Sequence, residues 1–533
     1  MKNKIISLII AFTGLLLTVQ SQAANITMTA GDTGAGNASF AAGFDWPGGL
    51  APTSGNAYFT GPFQLRTYVN TPFAGDSLSV DSGGGTLHVK VAGTTTVTNL
   101  ILNGGKLMNG IGAVTLAGNI TNAGGSTTID IQGQGRSFTI TAPISGSGTI
   151  TELVGAGGNT ASGTVTLNAT NTFSGQWVIS DAANTVAGAL PLLNLGNSNA
   201  LQNATLSLVT TNNALRFSPG IGGFLLGGLS GNGNIALTNT SGIDIALLVG
   251  NNNGTNSYSG NLSDLSGGNL TKTGNGTLTL SGTNTYHGAT RISAGILADI
   301  VGGSSSNSAV TVAATTGNTA VLGVSIVNNT KQWTYSSLTV NNGGISSGLQ
   351  FVFGAVTPST TVAPLNVTGA VSFATAPTIA ITGSSLPTST GNGYPLITWG
   401  SGSAPSLAGV TLTLPFRIGG NLAIVGSTLY LQITGSTQPL SWSGGNGTWD
   451  INNTGNTIWK DSANNSTYYT DADTVRFNNL GSVGGTVTLN TNVNPIGVTV
   501  TNPVADYTIS GSGGISGSTT LTKSGAGKLT MTR

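Results

Sequence analysis

Asp471 and Asp473 form the densest carboxylate pair in the chain, just ahead of Thr474-Val475-Arg476-Phe477. On a strand, residues two apart point the same way, so the pair could hold Ca²⁺ or act as acid and base on a glycosidic bond. The same spacing also suits a turn entering a strand, with both carboxylates capping backbone amides, and that reading is preferred. Sugar cleavage would also need a basic or aromatic subsite. Arg476 and Trp459 are the candidates, although Trp in this stretch reads more simply as core. Alternatively, Trp442, Trp449 and Trp459 could together present a carbohydrate-binding surface.

The two histidines offer less. His88 lies in the alternating stretch Thr86-Leu-His-Val-Lys90, which places it toward solvent opposite Leu87 and Val89. His287 falls in a turn, and one lone imidazole does not make a metal centre. No Gly-x-Ser-x-Gly elbow stands on a strand-to-helix turn, so a serine hydrolase is not indicated. Without cysteine there are no disulfides, no thiolate zinc sites and no thiol catalysis. Glu152, the only glutamate, completes no calcium loop, and the Gly-Asn-Gly and Gly-Ser-Gly runs lack the Lys-Ser/Thr of a phosphate loop. Sequons such as Asn119-Ile-Thr121 read as turn and ladder composition. The expectation is therefore no catalytic residue, no metal ligand and no cofactor.

The elements around these residues are short strands and tight turns. Of 533 residues, 83 are glycine and 6% are charged, yet 38% are hydrophobic, delivered in short Val, Ile and Leu runs. That is enough apolar material for a core, so disorder is not expected. A single glutamate argues against substantial helix. Net charge is +1 and no basic cluster follows residue 4, so nucleic acid is not an expected partner.

Three passages share one grammar: Gly163–Ser180 (GTVTLNATNTFSGQWVIS), Leu270–Leu297 (LTKTGNGTLTLSGTNTYHGATRISAGIL) and the stretch from Leu521 (LTKSGAGKLTMTR). Thr277-Leu-Thr-Leu280 is a period-two strand with one apolar and one hydroxylated face. Ser281-Gly282 and Asn284 read as a turn, because Gly and Asn tolerate positive φ. Tyr286 is expected to pack over a neighbouring coil, and Ile292 opens the next strand. Lead-ins of one type precede the units: Ile144-Ser-Gly-Ser-Gly148, Leu229-Ser-Gly-Asn-Gly233 and Ile509-Ser-Gly-Ser-Gly513. Such units cannot bury an apolar face alone and must stack. At 20–25 residues per coil, the mature chain would give some 20 or more coils and a body roughly 100 Å long.

The pattern Leu270 to Tyr286 resembles the autotransporter-associated β-strand repeat. That resemblance implies bacterial passenger-like proteins, surface-displayed or secreted, with β-helical bodies, and it brings no catalytic residues. The Trp442–Asp450 opening (WSGGNGTWD) and Asp471–Phe477 resemble segments of large proteins carrying this repeat. No alternating-strand barrel pattern follows, and Arg533 comes just after the first strand of a repeat. This suggests the front piece of a longer protein or a fragment of a damaged gene.

Residues 1–23 read as a cleaved signal peptide: Lys2 and Lys4, an apolar stretch from Ile5 to Val19, then Ser21-Gln-Ala23. No later segment is apolar for long enough to cross a membrane as a helix. The expected fold is all-β, a right-handed parallel β-helix or β-solenoid of degenerate Gly/Thr/Asn-rich repeats, with Trp-containing β modules near the N-terminus and after residue 440. The expected layout is a signal at 1–23, an N-terminal β cap and first coils at 24–137, and a repeat-bearing solenoid at 138–300. Diverged coils at 301–439 and a Trp-rich module at 440–533 follow. The expected function is an exported, non-catalytic scaffold or adhesion-type protein whose surface ligand is a glycan or another cell surface. The alternatives are a β-helical polysaccharide lyase or hydrolase and a carbohydrate-binding module.

Overall fold

The computed structural model describes residues 23–532 apart from 35–37, 133–134, 156–161, 181–189, 210–212, 342–345, 384–385, 416–417, 436–438, 444 and 479–483. The signal-peptide reading falls almost wholly outside the described residues. What is described is nearly all β, a parallel β-solenoid of about 19 turns with 1% helix. One 3₁₀ turn at Pro47–Gly49 is the helical element among the described residues. None of their helices is long and apolar enough to cross a membrane. The chain divides into two compact units, residues 1–227 and 228–533.

In the first unit the strands pair in parallel with the strand one turn later, which in most cases is not the next strand in sequence. Gln64–Thr67 pairs with Thr86–Val89, which pairs with Lys106–Asn109, which pairs with part of Ala113–Ile131. Register turns the alternation of each strand into inward columns. One column runs Val114, Phe138, Val165, Leu193 and Leu215, and all five side chains are buried. Each such side chain contributes about 1.5–3 kcal/mol on leaving water, and the column gathers what no single strand could bury. Near the start of this unit Trp46, Tyr58 and Phe73 pack edge to face and Phe40 meets Phe73 at a tilt, with ring centroids 5.0–5.4 Å apart.

The second unit repeats the scheme. Leu278, Leu297, Leu322, Leu349 and Ile379 form an inward column across five successive strands. Near residue 394 the pairing changes direction. Tyr394–Trp399 takes Thr428–Gly435 in antiparallel, and that strand takes Gly419–Val425 in antiparallel as well. From Pro439 onward two further parallel ladders form. One runs Leu440, Val475, Val498, Leu521, and the other Val487, Ile509, Met531. Trp442, Trp449, Trp459, Tyr469, Phe477 and Tyr507 fill the space between them.

Candidate functional site

Asp471 and Asp473 sit in a turn, not on a strand, which begins at Thr474. Ala472 between them has φ +74°, and the Asp473 amide donates to the Thr470 carbonyl at 3.1 Å. Asp471 Oδ1 accepts the Asn494 amide at 2.8 Å and the Tyr469 hydroxyl at 3.1 Å. Asp473 is fully buried, and its Oδ2 accepts the Thr470 amide at 2.9 Å. The two carboxylates therefore cap backbone and do not share an open face, which removes the strand-based geometry considered for calcium or acid–base work. Arg476 lines a surface groove of about 560 Å³ with Asp461 and Asn464, but neither Asp471 nor Asp473 lines it. Among the described residues no three His, Asp or Glu side chains are grouped to hold a metal ion.

The tryptophan platform is corrected outright. Trp442, Trp449 and Trp459 are 0–1% exposed and pack on one another and on Phe477 at 4.9–5.7 Å. A sugar ring needs an aromatic face in water, and these three indoles have none. His287 is exposed, as its turn position predicts, and its Nδ1 meets Asp264 Oδ1 at 2.9 Å. His88 does point away from Leu87 and Val89, yet it is only 4% exposed. The solvent reading fails because the neighbouring coils cover it. Arg66 and Met108 are its register partners on either side, and Gln64 hydrogen-bonds Nδ1 at 2.9 Å.

The recurring residues of the repeat have a definite task, which is to tie one coil to the next. Asn284 is not in a positive-φ turn, nor is Gly282. Asn284 lies in extended backbone with its side chain inward, 1% exposed. Its Oδ1 accepts the Leu262 amide of the previous coil at 2.9 Å, and its Nδ2 donates to Ser305 Oγ of the next at 3.2 Å. Asn171 does the same, accepting from the Ile144 amide at 2.8 Å and donating to the Ala200 carbonyl at 2.8 Å. Three backbone groups, the amides of Leu262 and Ile144 and the carbonyl of Ala200, are thereby paired.

Lys272 is fully buried. Its Nζ donates to the carbonyls of Thr273 (2.6 Å), Gly274 (2.8 Å) and, from the following coil, Ala294 (3.2 Å). Burial brings its pKa down to about 8. Lys523 repeats the first two bonds, to Ser524 and Gly525. Tyr286 and Phe173 fill equivalent buried positions. Gly288 and Gly175 follow two residues later because the previous coil passes too close for any side chain. A Cβ would lie 2.3 Å from the Gly268 carbonyl oxygen in one copy and 2.0 Å from that of Gly148 in the other.

Two carboxyls stand inside the coil: Glu152, weighed in the sequence only as a calcium ligand, and Asp299, not singled out there. Glu152 stands in the aliphatic column Ile129, Glu152, Ile179, Leu208, where burial pushes its pKa up to about 8. Trp177 Nε1 donates to its Oε2 at 3.3 Å, and Oε1 has no partner. Asp299 is likewise fully buried, accepts the Tyr335 hydroxyl at 2.6 Å, and is pushed well above the carboxylate range. Burial disfavours the charged form of both inside the coil. Their signal in sequence is an acidic residue at an inward position of a strand.

The passenger-associated-transport repeat matches residues 162–183 and 270–298. No curated protein and no solved structure matches the chain. The matched segments are those in which Asn171 and Asn284 bridge neighbouring coils, and the repeat together with the β-solenoid makes the chain similar to autotransporter-associated repeat proteins.

Proposed function

We propose that the protein is an exported, non-catalytic scaffold, displayed on the surface or secreted, whose coils serve as a rigid support. The observation that carries this reading is how the repeat's signature side chains are used. Lys272, Asn284 and Tyr286 all point into the body and hold adjacent coils, leaving no signature group for a substrate. The passenger-associated repeat supports an exported destination, and the leader-like residues 1–23 support it independently. The Asp471/Asp473 turn adds support on the chemical side, because both carboxylates are engaged with backbone amides.

Two measurements test the proposal. Antibody labelling of intact cells and of spent medium, with a tag in an exposed loop, is expected to find the protein outside. Confinement to the cytoplasm with residues 1–23 still attached would refute export. Purified protein is expected to leave a panel of neutral and acidic polysaccharides intact. Depolymerisation lost in Asp471→Asn or Asp473→Asn, with the variants still folded by circular dichroism, would refute the non-catalytic reading.

A further inference from the structure

In residues 24–137 lysine and arginine occur four times, at 66, 90, 106 and 136, scattered in sequence. The coils bring all four close enough to bear on His88. In a chain only 6% charged, such convergence is not background. Lys106 is neutralised by Asp130 at 3.4 Å. Arg66 spends its guanidinium on neutral oxygens: Nη1 donates to the Thr33 carbonyl at 2.7 Å, and Nε and Nη2 donate to the Gln64 side-chain oxygen at 2.9 Å. Arg136 donates to Gln132 Oε1 at 3.2 Å. Lys90 Nζ has no hydrogen-bond partner among the described residues, and its pKa is lowered by burial and by Arg66 and Arg136.

These bonds fix the proton on His88. The Gln64 oxygen faces Arg66, so the Gln64 nitrogen donates to His88 Nδ1 at 2.9 Å. Burial and the surrounding cations, Lys90, Arg66, Arg136 and Lys106, push the imidazole down to about 3, so it is neutral at physiological pH. With Nδ1 accepting, the single ring proton resides on Nε2. That Nε2 is buried and has no partner. It points to the spot over Gly110, where an added Cβ would come within 2.1 Å of Nε2 and 2.9 Å of Lys90 Nζ. The two donors thus lie within about 5 Å of each other. An unsatisfied buried donor is costly, and one acceptor oxygen about 2.8 Å from each nitrogen would satisfy both.

We infer that His88 Nε2 and Lys90 Nζ form a binding site for an oxyanion over Gly110 in the first unit, with the positive charge of Arg136 bearing on both. The ligand is a carboxylate, sulfate or phosphate group, either as a free ion or carried on an acidic polysaccharide. The site is independent of where the scaffold is displayed, since it is defined by the folded chain alone.

The test is nitrogen NMR of the two histidine rings in the full ¹⁵N-labelled chain, with His287→Asn to identify His88. Sodium sulfate, sodium phosphate and an oligogalacturonate are titrated in turn, each against sodium chloride at equal ionic strength. A saturable shift of the His88 Nε2 resonance is expected with at least one oxyanion, reduced at least tenfold in affinity in Lys90→Gln. Response to the inorganic ions alone marks a free-ion site, and response to the oligogalacturonate marks a glycan site. Absence of a saturable shift with all three, or a shift unchanged in Lys90→Gln, overturns the inference.

Discussion

Replacing Glu152 with Gln should change how stability depends on pH, because this carboxyl stands at the inward position between Ile129 and Ile179. Burial raises its pKa from 4.5 to about 8, against the Trp177 and Val165 N–H groups, which lower it. A folded pKa above the unfolded value means that folding takes up a proton. The contribution of this group is fully present below pH 4.5 and is lost as pH rises toward 8. Between those limits the loss is about 1.4 kcal/mol per pH unit. From pH 6.5 to 8 it reaches roughly 2 kcal/mol, and full burial leaves no solvent screening to discount. His88 titrates below this window, and Lys272, at about 8, begins to titrate at its upper edge with a slope of opposite sign that is common to both proteins. Asp299 adds a slope of the same sign, so the informative quantity is the difference between wild type and Glu152→Gln. Urea denaturation of both at half-unit steps is expected to show the variant gaining about 2 kcal/mol relative to wild type across the window. Parallel curves would refute the reasoning, since they would mean that the buried carboxyl does not take up a proton on folding.

Other substitutions test the ties between coils. Lys272→Met removes the donor shared by three carbonyls and should cost about 1–3 kcal/mol, whereas the exposed Lys523→Met should stay within about 0.5 kcal/mol. Denaturant midpoints of the two variants check this contrast. Asn284→Ala leaves the buried Leu262 amide without its acceptor and should cost about 1–3 kcal/mol, with faster hydrogen exchange at Leu262. Trp449→Ala opens a cavity beside Trp459, Tyr469 and Phe477 and should cost about 3–5 kcal/mol, with proteolytic cleavage appearing within residues 439–532.

Much of this architecture is legible in the sequence, for a physical reason. Thr277-Leu-Thr-Leu280 alternates because one face of each coil is interior, and Leu278 and Leu280 are indeed the buried pair. The coil length was read from the repeat, and some 20 or more coils were expected against about 19 found. Local chemistry also sufficed for the Asp471–Asp473 turn. What escaped the sequence is contact between coils. Asn284 looked like a turn residue because its partners, Leu262 and Ser305, are some 20 residues away on either side. Alternation alone sent His88 to solvent, since it sees one strand and not the Arg66 and Met108 of adjoining coils. The same blindness hid the convergence of Arg66, Lys90, Lys106 and Arg136, which are far apart in sequence.

The central claim is that each repeat strand pairs with the strand one coil later and not with its neighbour in sequence. Cysteine cross-linking tests it directly in a chain that has no cysteine of its own. Thr271 and Arg291 are register partners, and directly opposed parallel strands stand about 4.8 Å apart, within disulfide reach. The account predicts that Thr271→Cys with Arg291→Cys closes a disulfide under mild oxidation, while Thr271→Cys with Thr279→Cys does not. An antiparallel meander places Thr271 beside the strand of Thr279, so the reverse result would contradict the solenoid.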